Sequence, residues 1–242
     1  MDNIEVLPSI PEDYKQQIIG AGEHGKCYKT SDGNVFKEFK SKYTYEKDLL
    51  MLSQIQSPYF AFPNKIIYLE EKLPEKLKGY IMDYVDGSSF NNIDRKTRIE
   101  AIISSALDVE KSIFEISRYF YISLFDLHNN NVFFCPNNQF KIIDTDLYEY
   151  VPYKDVYGTL RENMKEWNEY LLYNLECMFE CFNSREINLH FEIAMHTGKY
   201  KASDILSEVV SEIRKETKED VSTLEDYYEG IKLIKKKEYL WK

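Results

Sequence analysis

The stretch Tyr121-Ile-Ser-Leu-Phe-Asp126-Leu-His-Asn-Asn-Asn131-Val-Phe-Phe134 is the most informative part of the chain about its fold. Asp126 precedes the amide of Asn131 by five positions, and the apolar run that follows is typical of a short strand. Both polar side chains therefore belong to one predicted loop. Thirteen positions after Asn131, the segment Lys141-Ile-Ile-Asp144-Thr-Asp146 ends a second predicted strand with a further carboxylate, that of Asp144.

These polar residues together suit a magnesium and phosphate site. Two carboxylates that lie close together in a folded protein cost free energy unless a cation offsets their charge. Mg²⁺ prefers an octahedron of oxygen ligands and suits one carboxylate, one amide oxygen and phosphate oxygens. Asp144 and Asn131 can supply the protein ligands, which leaves Asp126 to orient a hydroxyl and accept its proton. The alternative is a pair of Asx-rich turns that cap two strands.

A glycine-rich segment, Gly20-Ala-Gly22-Glu-His-Gly25, lies near the start of the chain between two predicted strands. A dinucleotide site would place a helix directly after such glycines, with an acidic residue about twenty positions further on. Residues 26–29 instead resemble a strand, and Ser31-Asp-Gly-Asn34 is typical of a hairpin turn. We therefore predict a β-hairpin whose glycines let the backbone close over phosphate groups. A plain glycine-rich turn is the alternative.

The next predicted strand, Val35-Phe-Lys-Glu-Phe39, alternates apolar and polar residues and carries Lys37. A lysine in a strand is usually solvated, and one that points at phosphate groups needs an acid to hold it there. The helix predicted over residues 45–55 offers Glu46 in its first turn, beside its buried face, with Asp48 as the second choice. The sequence therefore predicts that Lys37 pairs with Glu46.

The periodicity of the chain divides it into a strand-rich part and a helix-rich part. Further strands are predicted over residues 65–69 and 79–85, and short ones over 131–135 and 140–143. Helices are predicted near residues 96–117, 160–182, 186–195, 202–216 and 222–236. The predicted fold class is α+β, with the change of character at residues 86–94.

The composition and net charge of the chain make some classes of function unfavourable. The formal net charge of −10 disfavours binding to the phosphate backbone of nucleic acids. No apolar run reaches the ~20 residues of a membrane-spanning helix, and the first ten residues lack the basic region of a secretory signal, so we expect a cytoplasmic protein. The lysines of the C-terminal end form either a solvated helix end or a docking patch for an acidic partner: Lys232, Lys235, Lys236, Lys237 and Lys242.

The four cysteines predict no disulfide framework in such a chain. Cys177, Cys181, His190 and His196 follow a loosely zinc-like order. The two cysteines fall within a predicted helix, however, and the central loop is too short for a zinc finger. We therefore interpret these cysteines as buried helix residues.

Taken in order from Gly20 to about Asp146, these motifs resemble those of the protein kinase superfamily. The chain is similar to a compact bacterial-type member, and also to aminoglycoside and choline phosphotransferase-like enzymes. The resemblance implies a bilobal fold, with a small antiparallel sheet and one helix in an N-lobe over residues 1–85. It further implies a hinge and linker over 86–94 and a mostly helical C-lobe over 95–242.

The same resemblance implies where the cofactors, ATP and Mg²⁺, would bind. The three glycines, Lys37 and Glu46 would hold the nucleotide, and Tyr80-Ile-Met-Asp-Tyr-Val85 corresponds to the hinge. By resemblance, Met82 is the gatekeeper, and backbone groups of Asp83 and Val85 hydrogen-bond the adenine.

Four departures from the protein kinase pattern qualify this resemblance. Leu124-Phe125 stands where protein kinases have His-Arg, so control by phosphorylation of an activation loop is not expected. His128 replaces a lysine, and Asp144-Thr-Asp146 replaces Asp-Phe-Gly. The segment that follows contains nothing like Ala-Pro-Glu, which indicates that the platform for peptide substrates is abbreviated or absent.

The function expected from the sequence is transfer of the γ-phosphoryl group of ATP to a hydroxyl. Lys37, Asn131 and Asp126 would be the catalytic residues, with Asn131 and Asp144 as metal ligands. The hydroxyl of a protein Ser, Thr or Tyr is slightly favoured over that of a small molecule. One alternative is a pseudokinase that binds nucleotide and partners without catalysis, and another is nucleotidyl transfer. The sequence does not identify the acceptor.

Overall fold

The computed structural model describes residues 3–40, 44–176 and 185–239. The fold is α+β, with a mixed six-stranded sheet in the N-terminal part and helices in most of the C-terminal part. Along the sheet the strand order is β1-β5-β6-β4-β3-β2. Its strands are β1 (Ile4–Leu7), β2 (Gln17–Ala21), β3 (Gly25–Lys29), β4 (Val35–Phe39), β5 (Lys65–Leu69) and β6 (Leu77–Met82).

The prediction of a purely antiparallel sheet is wrong in one strand. β1 runs parallel to β5, with Ile4 opposite Ile66 and Leu7 opposite Leu69. The other pairs of this sheet are antiparallel. Tight turns fix the direction of hairpin strands, whereas a long stretch of chain separates β1 from β5 and allows a parallel arrangement. Because β1 is only four residues long, its periodicity gave no usable signal.

The hairpins predicted from the glycine-rich and Ser31–Asn34 segments are confirmed. β2 pairs with β3, and β3 pairs with β4, in antiparallel register. In the second turn Gly33 adopts a φ of 87°, a conformation that favours glycine. This meander places Lys37 opposite Tyr80 of β6, in the middle of the sheet.

The C-terminal part is built around a long central helix with further helices packed beside it. One helix, α1 (Glu46–Leu52), belongs to the N-terminal part. The other helices are α2 (Ile99–Phe120), α3 (Val156–Asn174), α4 (Arg185–Thr197), α5 (Ala202–Thr217) and α6 (Leu224–Tyr239). The remaining strands are β7 (Ser88–Ser89), β8 (Ile122–Ser123), β9 (Val132–Phe134), β10 (Phe140–Ile142) and β11 (Glu149–Tyr150). They form a three-stranded sheet of order β10-β9-β7 and a separate pair, β11-β8.

The central helix was predicted over residues 96–117 and is observed at Ile99–Phe120. It begins later because Asp94 closes a turn first, accepting the backbone N–H of Lys96 at 2.9 Å. It ends at Tyr121, whose φ of 57° is left-handed. The predicted apolar face is confirmed by the buried residues Ile99, Ile102, Ala106, Val109, Ile113 and Ile116. Part of the helix predicted at 160–182, including Cys177 and Cys181, lies outside the described residues.

Two contacts tie the N-terminal part to the strand that precedes Asp144. The backbone N–H of Ala61 donates to Ile142 O at 2.8 Å, and Ile142 N donates to Tyr59 O at 2.7 Å. Phe60 lies between these two bonds and is buried in the large apolar core of the helical part. This link fixes β10, and with it the start of the Asp144 segment, against the segment that follows α1.

The N-terminus of α5 is capped by a residue from another helix. Ser203 donates its backbone N–H to Glu110 Oε1 at 2.9 Å and its hydroxyl to Oε2 at 2.5 Å. Glu110 is almost completely buried in α2. Its carboxyl therefore satisfies one of the N–H groups that the first turn of a helix leaves unpaired.

Burial raises the pKa of Glu110 to about 7 from an ordinary value of 4.5, although the bonds from Ser203 act in the opposite direction. The folded protein therefore holds this proton more tightly than the unfolded chain between those pH values. The stability that Glu110 contributes should fall as pH rises through that window. We expect the unfolding free energy of wild type, relative to Glu110→Gln, to drop by up to about 3 kcal/mol from pH 4.5 to 7. Urea unfolding at several pH values, with the exposed Glu115→Gln as matched variant, measures this.

Two of the lysines near the C-terminus form ion pairs. Lys232 pairs with Glu229 at 2.6 Å, and Lys235 pairs with Glu176 at 3.0 Å. The side chains of Lys237 and Lys242 lie outside the described residues. The two ion pairs favour the solvated helix end over the docking patch. Across the described ranges, no helix is both long enough and apolar enough to cross a membrane.

Candidate active site

Lys37 from β4 meets two carboxylates that follow β10, although more than a hundred residues separate them in sequence. Its ammonium group donates to Asp144 Oδ1, and to Asp146 Oδ1 at 2.8 Å. Lys37 is buried, with 4% of its surface exposed. A buried ammonium group requires such counter-charges, so this cluster fixes where the lysine lies. The cation that offsets the two carboxylates within the described structure is therefore Lys37.

The two carboxylates have different environments. The side chain of Asp146 is completely buried, and its Oδ1 also accepts a hydrogen bond from the Tyr80 hydroxyl at 2.8 Å. The Asp144 side chain is 42% exposed. The carboxylate of Asp144 is therefore accessible to a ligand, whereas the carboxylate of Asp146 lies in the protein interior, away from solvent.

The electrostatics of this cluster follow from two carboxylates sharing one ammonium group. Burial and the neighbouring carboxyl of Asp146 raise the pKa of Asp144 to about 6, although Lys37 acts in the opposite direction. Burial lowers the pKa of Lys37, but both carboxylates outweigh it, and the pKa is raised above its ordinary value. Lys37 is therefore charged at neutral pH.

Asp126 and Asp144 both adopt left-handed backbone conformations, with φ of 62° and 60°. Such conformations are uncommon for residues other than glycine and are found preferentially at functional sites. A hydrogen bond of 2.8 Å from Ile143 N to Asn131 O holds the two segments beside each other. Asp126 and Asp144, which were selected from the sequence, thus both have a strained backbone conformation, and Asn131 links the two segments that carry them.

The loop around Asp126 is held by its own polar groups. Asn131 Nδ2 donates to the backbone oxygen of Asp126 at 3.0 Å and to its Oδ2 at 3.3 Å. His128 Nδ1 accepts the N–H of Asn130 at 3.1 Å, so the proton of a neutral ring lies on Nε2, 3.4 Å from Asp126 Oδ2. The Asp126 side chain remains 48% exposed. Asn131 and His128 therefore orient the Asp126 carboxylate, and its exposed part is accessible to an incoming molecule.

Asn163 of α3 supports this loop and was missed in the sequence. Its Oδ1 accepts the N–H of Leu124 at 2.8 Å. Its Nδ2 donates to Ile122 O at 2.7 Å and to Ser117 Oγ at 2.8 Å. This buried side chain therefore fixes the segment that leads to Asp126. The available signal was an amide on the apolar face of a predicted helix, which must find hydrogen-bond partners when buried.

The residues predicted to bind magnesium are Asn131 and Asp144. The described residues include no group of three or more His, Cys, Asp or Glu side chains placed to hold a metal ion. Asn131 uses its Nδ2 for Asp126, which leaves its Oδ1 available, and Asp144 is partly exposed. One amide and one carboxylate suit Mg²⁺ when phosphate oxygens and water complete the octahedron. The donor set therefore fits Mg²⁺ bound together with a phosphate ligand.

The zinc-like pattern gains no support from its histidines. His190 Nδ1 lies 2.9 Å from Glu208, and His196 Nε2 lies 3.0 Å from Glu192. Each ring is thus paired with a separate carboxylate, as ordinary helix residues are. Cys177 and Cys181 lie outside the described residues.

The predicted pairing of Lys37 with Glu46 is wrong in this structure. Glu46 accepts a hydrogen bond from the Tyr68 hydroxyl at 2.5 Å. Asp48, the second choice, is buried and accepts the N–H of Tyr150 at 3.1 Å. Helix periodicity indicated that both acids lie near the buried face, but it could not indicate which strand or loop each of them meets.

The glycines of the β2–β3 hairpin have different roles. A Cβ at Gly25 would lie 2.5 Å from Glu38 O, so the close approach of β4 explains this glycine. A Cβ at Gly22 would meet no atom within 4 Å, and at Gly20 only Cys27 at 3.8 Å. Gly22 lies at the exposed tip, where Lys40 Nζ donates to its carbonyl at 2.5 Å. The hairpin is therefore confirmed, and its closure over phosphate stays a prediction.

The residues compared with a hinge span the end of β6 and the segment directly after it. Met82 is buried opposite Val35 of β4. Asp83 is exposed and accepts a hydrogen bond from Asn64 Nδ2 at 2.6 Å, and Val85 is half-buried against the same apolar cluster as Met82. The backbone thus passes from the sheet towards β7 at this point, and its contacts with adenine stay a prediction.

Comparison with known proteins adds no family assignment. No protein-family model matches the chain, and no curated protein matches it.

Proposed function

We propose that this protein is an ATP- and Mg²⁺-dependent phosphotransferase with a kinase-like bilobal fold, which transfers the γ-phosphoryl group to a hydroxyl. The observation that carries the proposal is the meeting of Lys37 with Asp144, next to the loop of Asp126 and Asn131. These residues come from three separate segments. A lysine, a metal-binding carboxylate and amide, and a general base are the groups that phosphoryl transfer requires.

The nucleotide half of the proposed site lies between the N-terminal sheet and the segment after β10. Lys37 would bind phosphate oxygens of ATP, and Asp144 and Asn131 would hold the metal. Mg²⁺, when bound, neutralises charge on the phosphates. Because the buried carboxylate of Asp146 holds Lys37, its ammonium group is already oriented before a phosphate arrives, and such preorganisation favours transfer.

The acceptor half of the proposed site rests on Asp126. Its exposed carboxylate would accept the proton of an attacking hydroxyl, while Asn131 and His128 keep it in one orientation. We favour a protein Ser, Thr or Tyr hydroxyl over a small molecule as acceptor, in a cytoplasmic setting. Leu124 and Phe125 support the expectation that no activation-loop phosphate controls the site.

A thermal shift with nucleotide tests the nucleotide half. We expect ATP with Mg²⁺ to stabilise wild type by about 2.7 kcal/mol at a hundred times Kd, and ATP alone to stabilise it much less. The Asp144→Ala variant should lose the part that depends on Mg²⁺, because it removes the charged ligand. Asp204→Ala, at an exposed position of α5, is the matched control and should respond as wild type does. An equal response of Asp144→Ala and wild type would contradict the metal role.

The second candidate is a pseudokinase that binds nucleotide without transfer. It is favoured by the engagement of Asp144, the proposed metal ligand, with Lys37. Binding of MgATP without labelled phosphate on any acceptor would support it. Nucleotidyl transfer is separated by mass spectrometry, because adenylyl and phosphoryl adducts on the acceptor differ clearly in mass.

A further inference from the structure

We propose that Asp146, and not Glu46, is the positioning residue that holds Lys37 in the nucleotide site. This inference rests on the proposed function and specifies how its lysine is oriented. It assigns a role to a carboxylate that the sequence pattern marked only as a departure from Asp-Phe-Gly.

Asp146 is fixed in one orientation by several contacts. Its Oδ1 accepts from Lys37 Nζ at 2.8 Å and from the Tyr80 hydroxyl at 2.8 Å. Its backbone oxygen accepts from the Thr44 hydroxyl at 2.6 Å, and the residue lies within a short 3-10 helix, Thr145–Leu147. A fully buried carboxylate is stable only with partners of this kind. Asp146 therefore keeps its position when ligands come and go.

Glu46 is held by different groups. Its carboxylate accepts from the Tyr68 hydroxyl at 2.5 Å, on β5. The helix that carries it is further anchored by Asp48, which accepts from Tyr150 N. Among the described residues, Lys37 forms ion pairs with Asp144 and Asp146 and none with Glu46. In the structure Asp146 is therefore hydrogen-bonded to Lys37, whereas Glu46 is hydrogen-bonded to Tyr68.

The two carboxylates that bind Lys37 differ in solvent exposure, which suggests that Asp144 binds the metal ion and Asp146 holds the lysine. Asp144 is 42% exposed and Asp146 is 0% exposed in their side chains. When Asp144 turns to a metal ion, Lys37 loses one counter-charge. Asp146 remains, and a buried ammonium group needs that partner to stay in place.

This arrangement has a consequence for regulation. In protein kinases the lysine depends on a glutamate from a mobile helix, so moving that helix controls activity. Here the acid comes from the same short segment as Asp144. The lysine and the proposed metal ligand would thus be positioned together without an acid from α1, although α1 packs against the 3-10 helix that carries Asp146.

Labelling of Lys37 by an acyl-phosphate derivative of ATP tests the proposal. Such a reagent acylates a lysine that lies at the bound phosphates, and mass spectrometry of peptides measures the extent. We expect wild type to be labelled at Lys37, with protection by excess ATP. Asp146→Asn, which keeps the shape but removes the charge, should reduce labelling about tenfold when labelling is compared across pH at equal fractions of free amine. This comparison is needed because loss of a counter-charge by itself lowers the pKa of Lys37 and favours the reactive free amine. Glu46→Gln should stay within about twofold of wild type.

Glu38→Gln is the matched charge control, because Glu38 neighbours Lys37 on β4 and points to the opposite face. If Asp146→Asn is too unstable, Tyr80→Phe removes one of the bonds to Asp146 and should give a smaller loss of labelling. Labelling of Asp146→Asn equal to wild type, or loss in Glu46→Gln, overturns the assignment of Asp146. Wild type without ATP-protected labelling overturns the proposed function itself, and the role of Asp146 in it.

Discussion

Replacement of Asp126 with alanine should reduce phosphoryl transfer by about 10²- to 10⁴-fold while leaving the binding of MgATP intact. A general base contributes about this factor, because it removes the proton of the hydroxyl as the new bond to phosphorus forms. Asp126 is suited to this role since its carboxylate is half exposed and held by Asn131 at 3.3 Å. The proposed metal ligands remain in the variant, so the nucleotide should still bind.

The measurement compares initial rates with γ-labelled ATP, Mg²⁺ and a generic protein acceptor, and a thermal shift with MgATP runs in parallel. Asp108→Ala, which removes a half-buried carboxylate paired with Lys111 on α2, is the control and should transfer at the wild-type rate. If wild type and Asp126→Ala both bind MgATP and neither transfers phosphate, the result supports the pseudokinase over the phosphotransferase. If Asp126→Ala transfers at the wild-type rate, Asp126 is not the base.

Local patterns in the sequence predicted those parts of the fold that depend on neighbouring residues. The hairpin through Ser31–Asn34 and the buried face of α2 follow from turn chemistry and helical periodicity. The strand β1 was missed because its four residues pair with β5, far along the chain. A parallel pairing of this kind leaves no local signal, since neither strand determines the partner of the other.

The structure brings together residues that were selected from the sequence, but one of their predicted contacts is wrong. Lys37, Asp144, Asn131 and Asp126 were selected from spacing and are brought together. The acid that holds Lys37 was assigned to Glu46, whereas the structure places Asp146 there. Both acids satisfy the same electrostatic requirement, and only the three-dimensional path of β10 and the turn after it decides between them. Spacing along the chain does not contain this information.

Two asparagines of α3 provide a matched pair for testing how Asp126 is positioned. Asn163 accepts the N–H of Leu124 and donates to Ile122 O, in the segment before Asp126. Asn168 accepts the N–H of Ala202 at 2.9 Å and donates to Tyr200 O at 2.9 Å, at the start of α5. Both are buried amides that satisfy backbone groups, but only one of them supports the Asp126 loop.

Replacement of either asparagine with leucine should lower the unfolding free energy by about 3 kcal/mol, because each backbone group left unsatisfied costs about 1–3 kcal/mol. Urea unfolding measures this loss. Asn163→Leu should in addition reduce transfer at least about tenfold per folded molecule, since a displacement of about 1 Å in a reacting group can cost a hundredfold. Asn168→Leu should keep the wild-type rate per folded molecule, because its partners lie in α4–α5. If both variants lose transfer only in proportion to their unfolded fraction, Asn163 stabilises the fold without positioning Asp126.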